Sequence, residues 1–437
     1  MSESFTIKEL KSTFGTSSAI LESYVERPNI DDTFKQALED REFIVVHGSS
    51  KQGKTSLWKQ HLNDETTRDL NCANISNIAE LHAQILKSVG YEIASYSTST
   101  TVTPEISAGI NLHFVEVKSQ VQTSQTTHES QQRIELNPQD PNDILRALEE
   151  IHFSGNIVIE DFHYLDEPTQ IAFTRTLKTF YDRQGREFSF IIIGVWQEAD
   201  KLGLLNGDLS GRLTTISADR WNSEELREVI ERGENHLNIT FDESLKQELI
   251  DHCGGAIYLL QNACLNACMN HLRENTNTDT LICGSGEQLI KNEIKKQRGR
   301  YEKFLRKYTQ DARESEYSIR KWITAIFVTY VRISRGTTSV SYPQLKDGLT
   351  RIHPRSNGDS GINSGHLTTA LQNIAKKQQS LNINPPILSY DSDQRLLYVV
   401  DRGFTIWLLH EDVEIIDEAI GIQSDEGGIE KFSKLLR

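Results

Sequence analysis

The stretch EFIVVHGSSKQGKT, residues 42–55, decides the fold. It opens on a β-branched run, Phe43 to Val46, which reads as a short strand buried in a parallel sheet. Next come Gly48, Ser49, Ser50, Lys51, Gln52, Gly53, Lys54 and Thr55, which satisfy G-x-x-x-x-G-K-[ST] at every position. A helical run over about 54–62 follows, so the loop lies between strand and helix, the context that gives the motif its meaning. The glycines let the backbone wrap a triphosphate with N–H groups pointing inward, and the helix start adds a favourable field. In that arrangement Lys54 reaches the β- and γ-phosphates, the Thr55 hydroxyl ligates Mg²⁺, and Ser56 closes the cradle. The cofactors implied are ATP and Mg²⁺. The competing reading is a chance Gly-rich turn.

Working outward, residues 29–38 carry apolar positions at Ile30, Phe34 and Leu38, a helical period with acidic residues early. Downstream, GNIVIED (155–161) is a second apolar strand ending in two carboxylates, Glu160 and Asp161. That strand is expected beside the first, with Glu160 toward Mg²⁺ and Asp161 aligning an attacking water. Surface charges closing a strand are the alternative. A helix over 168–181 and a third strand over 188–194 continue the alternation of a parallel α/β sheet. The third strand runs into Gln197, which reads either as a γ-phosphate sensor or as a silent residue beside a structural Trp196. Arg212 lies in a short turn before the next helical block. It reads either as an arginine finger toward a neighbouring subunit's γ-phosphate or as a solvated surface arginine.

Between these elements, residues 93–141 are Ser-, Thr- and Gln-rich around an alternating INLHF (110–114), as in a β-hairpin or a loosely ordered insertion. Residues 222–275 read as helices only. The C-terminal part reads as helices over 319–333, 342–351 and 364–380, then strands over 386–389 and 396–400, the outline of a winged helix. The organisation expected is an α/β core over 1–220, a helical lid over 221–285, a basic linker helix over 286–317, a winged helix over 318–410 and an acidic tail helix over 411–437. No internal repeat is visible.

Net charge is −15, against a chain that coats nucleic acid with its whole surface, yet residues 291–380 alone balance at +11. DNA contact through Lys295, Lys296, Arg298 and Arg300 is one reading; a basic surface meeting an acidic one within the same molecule is the other. The five cysteines form no C-x-x-C pair and read as reduced, mostly buried thiols. Cys264, Cys268 and His271 share a helix face, which favours packing over a metal site in the absence of an evident fourth ligand. The N-terminus lacks a basic start followed by an apolar run. The most apolar stretch, 322–333, is too short for a bilayer span, so a cytoplasmic chain without membrane contact is expected.

Taken in order, ERPNI (26–30), HGSSKQGKTSL, IVIEDFHYL, FSFIIIGVW, GRLTTISADRW, a helical lid and a winged helix resemble AAA+ and STAND-type ATPases. The resemblance covers about 20–410 and is greatest to archaeal and bacterial ATPases near origin-recognition initiators, some of which serve in anti-phage defence. It implies an ATP-driven switch that assembles, or changes partners, when nucleotide binds or is hydrolysed. Self-association or a protein partner encoded nearby would follow. An ATP-regulated DNA-binding protein and an ATP-bound scaffold with little turnover are the alternatives. Three departures stand out. The acid pair is Glu160-Asp161, where the family usually has Asp first, which implies slow hydrolysis. Ile257 stands where relatives carry a phosphate-reading arginine. No long repeat array follows the core.

Overall fold

The computed structural model describes residues 6–15, 19–94, 112–116, 133–183, 185, 187–197, 201–219, 221–274, 281–310, 318–354, 364–383, 385–392, 394–422 and 428–437. The polar tracts 96–103 and 119–132 lie outside them. The chain forms two compact units. One takes in Glu26–Gly48 and Leu57–Ala218; the other takes in Met1–Val25, Ser49–Ser56 and Asp219–Arg437.

The first unit is built on five parallel strands: β1 (Phe43–His47), β2 (Thr67–Asn71), β3 (Gly155–Glu160), β4 (Phe188–Ile193) and β5 (Leu213–Ser217), in the order β2-β3-β4-β1-β5. Side chains alternate across a strand, so neighbouring residues go to opposite faces. Ile44, Val46, Val158, Ile191, Ile193 and Ile216 meet Phe34 and Ala37 from helix Pro28–Glu39 and Leu57 and Trp58 on one face. Phe43, Val45, Ile157, Ile159, Phe190 and Ile192 meet helices Ile78–Ser88, Pro141–Glu150 and Glu167–Tyr181 on the other. The result is a three-layer α/β arrangement in which both faces of β1 and β4 are fully covered.

Several expectations need correction here. The strand carrying Glu160 does not pair with β1; it pairs with β2 and β4, and β4 lies between. The two edge strands, TRDLN and LTTIS, went unseen because an edge strand is buried only in part and keeps its polar residues. The 93–141 segment holds a three-stranded antiparallel sheet of Tyr91–Ala94, Leu112–Glu116 and Arg133–Leu136 rather than a hairpin.

The second unit is mainly helical. One apolar cluster runs from Leu10 and Phe14 in helix Ile7–Phe14, through Ser223–Leu237, Glu243–His252, Ile257–Glu274 and Gly286–Thr309, to Leu436 near the C-terminus. A two-residue parallel pair, Thr240–Phe241 with Leu281–Ile282, interrupts the block read as helices alone. Helix Ile319–Ile333 leads into the strand Ser339–Ser341, and helices Tyr342–Ile352, Ser364–Gln372 and Ile374–Ser380 follow before the strands Leu388–Asp391 and Leu396–Val399; the three strands form an antiparallel sheet with Leu396–Val399 in the middle. The single helix expected over 364–380 breaks at Asn373, whose amide donates to the Thr369 carbonyl at 2.8 Å and competes with the backbone ladder. Buried Gln378 ties the second piece to the sheet: its Nε2 donates to the Leu388 carbonyl at 2.6 Å, and its Oε1 accepts from the Ile387 and Leu388 N–H groups. Three helices, Arg402–His410, Val413–Ile420 and Gly428–Leu436, end the chain.

Candidate functional site

The loop from Gly48 to Thr55 leaves β1 and enters helix Lys54–His61 without an intervening residue of irregular chain beyond the motif itself. Gly48 and Gly53 adopt φ of +137° and +86°, and Lys51 adopts +60°. A Cβ at Gly53 would sit 3.7 Å from the Trp221 ring in a backbone conformation that L-residues rarely take, so this position asks for glycine. Ser49, Gln52 and Lys54 are buried, Ser50, Thr55 and Ser56 half-buried and Lys51 exposed.

Hydrogen bonds hold the loop in shape. Trp221 Nε1 donates to the Gln52 carbonyl at 3.3 Å. The Gln52 side chain spans Gly255 and Ile257 at the head of helix Ile257–Glu274: Nε2 donates to the Gly255 carbonyl and Oε1 accepts from the Ile257 N–H, each at 3.3 Å. The Ser49 N–H donates to Asp219 Oδ1 at 2.8 Å, and Lys54 Nζ donates to the Ser49 carbonyl at 2.5 Å. The Lys51 ammonium lies 4.8 Å from the centre of the Tyr258 ring. A backbone carbonyl is a neutral partner for Lys54, and a phosphate would displace it at a net gain in charge pairing. The loop therefore fits a polyphosphate.

In the sheet unit, Glu160 ends β3 and Asp161 follows it at φ +58°. Trp58 Nε1 donates to Glu160 Oε1 at 2.6 Å, and Asn71 Nδ2, at the end of β2, donates to Asp161 Oδ2 at 2.7 Å. The left-handed turn at Asp161 separates the two carboxylates, so each has its own donor. Beneath them, burial and the two acids push the Cys72 thiol up to about 12, which keeps it protonated. Sequence reasoning missed Asn71 and Trp58, as well as Asp219 and Trp221. The signal available for the last pair was the DRW run after β5; nothing local marked the first pair.

Two other candidates are placed as follows. Gln197 follows β4, and the Trp196 ring before it is stacked on His47 with centroids 6.5 Å apart. Arg212 donates to Asp182 Oδ1 at 2.7 Å, lies over the Tyr181 ring and is 38% exposed. Among the described residues no cluster of His, Cys, Asp and Glu could hold a metal ion. Cys264 and Cys268 are buried with their thiols pushed up by burial, Cys268 to about 12, as packing predicts. Among the described residues no helix is long and apolar enough to cross a membrane.

No protein-family model matches this chain, and no curated protein matches it. Among solved structures it is similar to the Walker-type ATPase PABY2304 of Pyrococcus abyssi, with a TM-score of 0.51 and 14% identity over 89% of this chain and 97% of that one. It is also aligned with the Aeropyrum pernix ORC2 protein, solved as ADPNP–ADP complexes, at a TM-score of 0.46 and 13% identity over 90% of this chain and 93% of that one. At such identities the likeness is one of fold. With five parallel strands in this order and the phosphate loop after β1, the fold is that of a P-loop ATPase, like that of the Walker-type ATPase PABY2304.

Proposed function

We propose that this chain binds Mg·ATP through Gly48 to Ser56, hydrolyses it slowly, and works as a nucleotide-dependent switch in assembly or partner choice. The observation that carries the reading is the complete phosphate loop, with left-handed glycines and a buried lysine that donates to a carbonyl of the same loop. Lys54 would offset phosphate charge. Thr55 and Glu160 would hold Mg²⁺, which supplies charge neutralisation at the phosphates when bound. Asp161, fixed by Asn71, would align and deprotonate the attacking water. Arg212 would serve a neighbouring subunit by exchanging Asp182 for phosphate. The finer assignment to STAND-type switches and to anti-phage defence rests on resemblance alone.

The helices and antiparallel sheet between Ile319 and Val399 support a winged-helix reading for that part of the chain. DNA contact is the second function considered, supported by exposed Lys295, Lys303 and Lys307 on helix Gly286–Thr309. Against it, Lys296, Arg298 and Arg300 already pair with Glu293, Glu302 and Asp401.

The test has two arms. A fluorescent ATP analogue is titrated with and without Mg²⁺ while phosphate release is followed at steady state; mass in solution is then compared with ADP and with a non-hydrolysable ATP analogue. Saturable Mg²⁺-dependent binding, turnover well below 1 s⁻¹ and a nucleotide-dependent mass are expected. Absence of nucleotide binding would overturn the proposal. Binding without a change of mass would leave an ATP-binding protein that is not an assembly switch.

A further inference from the structure

A cleft of about 280 Å³ in the helical unit lies outside the phosphate loop. Its walls come from Asp251, His252 and Gly254 after helix Glu243–His252, from Arg335, Gly336 and Thr338 after helix Ile319–Ile333, and from one side of helix Arg402–His410. We infer that this cleft is a binding site for a small dianion, an effector bearing a phosphate group or a pair of carboxylates.

Three features point to that chemistry. First, the charge is cationic. Arg335 is exposed with no ion pair among the described residues, and Arg402 brings a second guanidinium; the one carboxylate in the lining, Asp251, accepts from Gln247 Nε2 at 2.8 Å. Second, two donors lining the cleft have no hydrogen-bond partner among the described residues. Arg402 Nε and Thr405 Oγ1 are buried without a hydrogen bond, and Thr405 is only 5% exposed. Buried polar groups nearly always find partners, so an unpaired pair at one cavity marks a place where a ligand supplies the acceptors. Third, His252 and His410 face each other with ring centroids 6.2 Å apart, and burial with nearby Lys291 and His252 holds His410 below its ordinary value. A neutral imidazole such as that of His410 donates to an anion without requiring its protonation. Gly336 keeps the floor open: a Cβ there would come within 3.2 Å of Leu409 Cδ1 and 3.9 Å of Thr405 Cγ2. The volume is below that of pockets for drug-sized ligands, which limits the occupant to a small metabolite.

Arg402 also gives the site a connection. Its Nη1 donates to the Gly254 carbonyl at 3.2 Å and its Nη2 to Asp219 Oδ2 at 3.1 Å, while Asp219 Oδ1 accepts from the Ser49 N–H in the phosphate loop. A dianion in the cleft competes with Asp219 for Arg402 and so changes how firmly Asp219 holds that N–H. This coupling rests on the nucleotide reading above; the binding site itself does not.

The experiment uses the full chain carrying Lys54→Ala, so that the phosphate loop does not capture the probe. Equilibrium dialysis with inorganic phosphate and with succinate is expected to show saturable binding of one equivalent of at least one probe. Arg335→Asn, a residue type that tolerates the left-handed backbone there, and Thr405→Val should each weaken it by roughly tenfold with the melting midpoint unchanged. Preference for phosphate assigns a phosphorylated effector, and preference for succinate a dicarboxylate. No saturable binding of either probe, or binding that survives both substitutions, overturns the site. A probe retained by the parent and lost with Lys54→Ala alone places the anion in the phosphate loop and also overturns it. In the parent protein, the probe should shift nucleotide affinity several-fold; an unchanged affinity removes the coupling. Intact probe binding with no nucleotide binding would remove the function proposed above and leave the cleft.

Discussion

At Lys54 the buried ammonium donates to the Ser49 carbonyl, and losing it removes a buried point charge from the phosphate loop. Lys54→Ala should weaken Mg·ATP binding by at least about 100-fold, since hydrogen bonds to charged groups are worth about 1.5–3 kcal/mol each and in the function proposed this group would reach two phosphates. The circular dichroism spectrum should not change. A titration with a fluorescent ATP analogue giving equal affinities for both proteins would sink the assignment of this loop. In the function proposed, the acid pair would divide its work by length and by partner. Asp161 is one methylene shorter than a glutamate, and misplacement on the order of 1 Å can cost about 100-fold in rate. Asp161→Asn should keep ATP affinity and abolish phosphate release, whereas Glu160→Gln should weaken only the Mg²⁺-dependent part of binding. Asn71→Ala, which frees Asp161, should slow turnover by roughly tenfold at unchanged affinity, because Asn71 acts by positioning. If Asp161→Asn releases phosphate as fast as the parent, the base lies elsewhere.

Among the elements, the short N-terminal helix Ile7–Phe14 is held by a close fit. Phe14 is fully buried with its ring against the backbone of Gly233 in helix Ser223–Leu237, where no side chain could stand. Gly233→Ala should destabilise the protein by about 1–3 kcal/mol through overpacking, and Phe14→Ala by about 3–5 kcal/mol through the cavity it leaves. The double variant should cost less than the two together, because the new methyl enters the space the ring vacates. Strict additivity in urea denaturation would show that the ring and glycine do not share that space. The helix itself was not apparent in the sequence, being only two turns long. The elements that were legible are those whose pattern and burial coincide. Strands β1 and β4 are mainly apolar and covered on both faces, β3 is so over its Ile157–Ile159 centre, and helix Ile319–Ile333 is apolar because nearly every side is buried. Edge strands β2 and β5 and the three-residue strand Ser339–Ser341 carry Thr, Ser, Asp and Arg, so their existence depends on a neighbour's ladder rather than on their own periodicity. The phosphate loop was readable because its chemistry is local. Asn71, Trp58, Asp219 and Arg402 were not, since each reaches its partner across 90 residues or more.

Over the whole molecule, the ionisable groups decide how it responds to its medium. His82 is buried between the Pro138 carbonyl at 2.7 Å and Thr176 Oγ1 at 2.9 Å, and burial pushes it down to about 4. An unfolded chain takes up a proton near the ordinary histidine value, so stability from this site is fully present above about 6.5 and is lost as pH falls toward 4. The loss should reach about 3 kcal/mol and be absent in His82→Gln, as read from urea midpoints across that window. The chain's basic excess over 291–380 has a similar internal explanation. Arg298 pairs with Glu302 and Glu411, Arg306 with Glu418 and Arg300 with Asp401, so three guanidiniums of the long helix Gly286–Thr309 neutralise acids of their own unit. Asp401 is the decisive one: its side chain is 4% exposed, and it also accepts from Tyr301 and from the Gly403 N–H. Removing Arg300 leaves a buried carboxylate without its cation, which costs about 3–5 kcal/mol. Arg300→Ser should therefore lower the melting temperature sharply in the absence of any nucleic acid, while Lys295→Ser, at an exposed lysine with no ion pair among the described residues, should leave it unchanged. A gel-shift series in rising salt completes the test. If these charges serve the fold, duplex DNA should be only weakly retained at low salt and the Arg300→Ser effect should appear in stability alone. If instead duplex binding is tight, falls steeply with salt and is lost in Lys295→Ser at unchanged stability, the helix faces phosphates and the internal reading of the basic stretch is wrong.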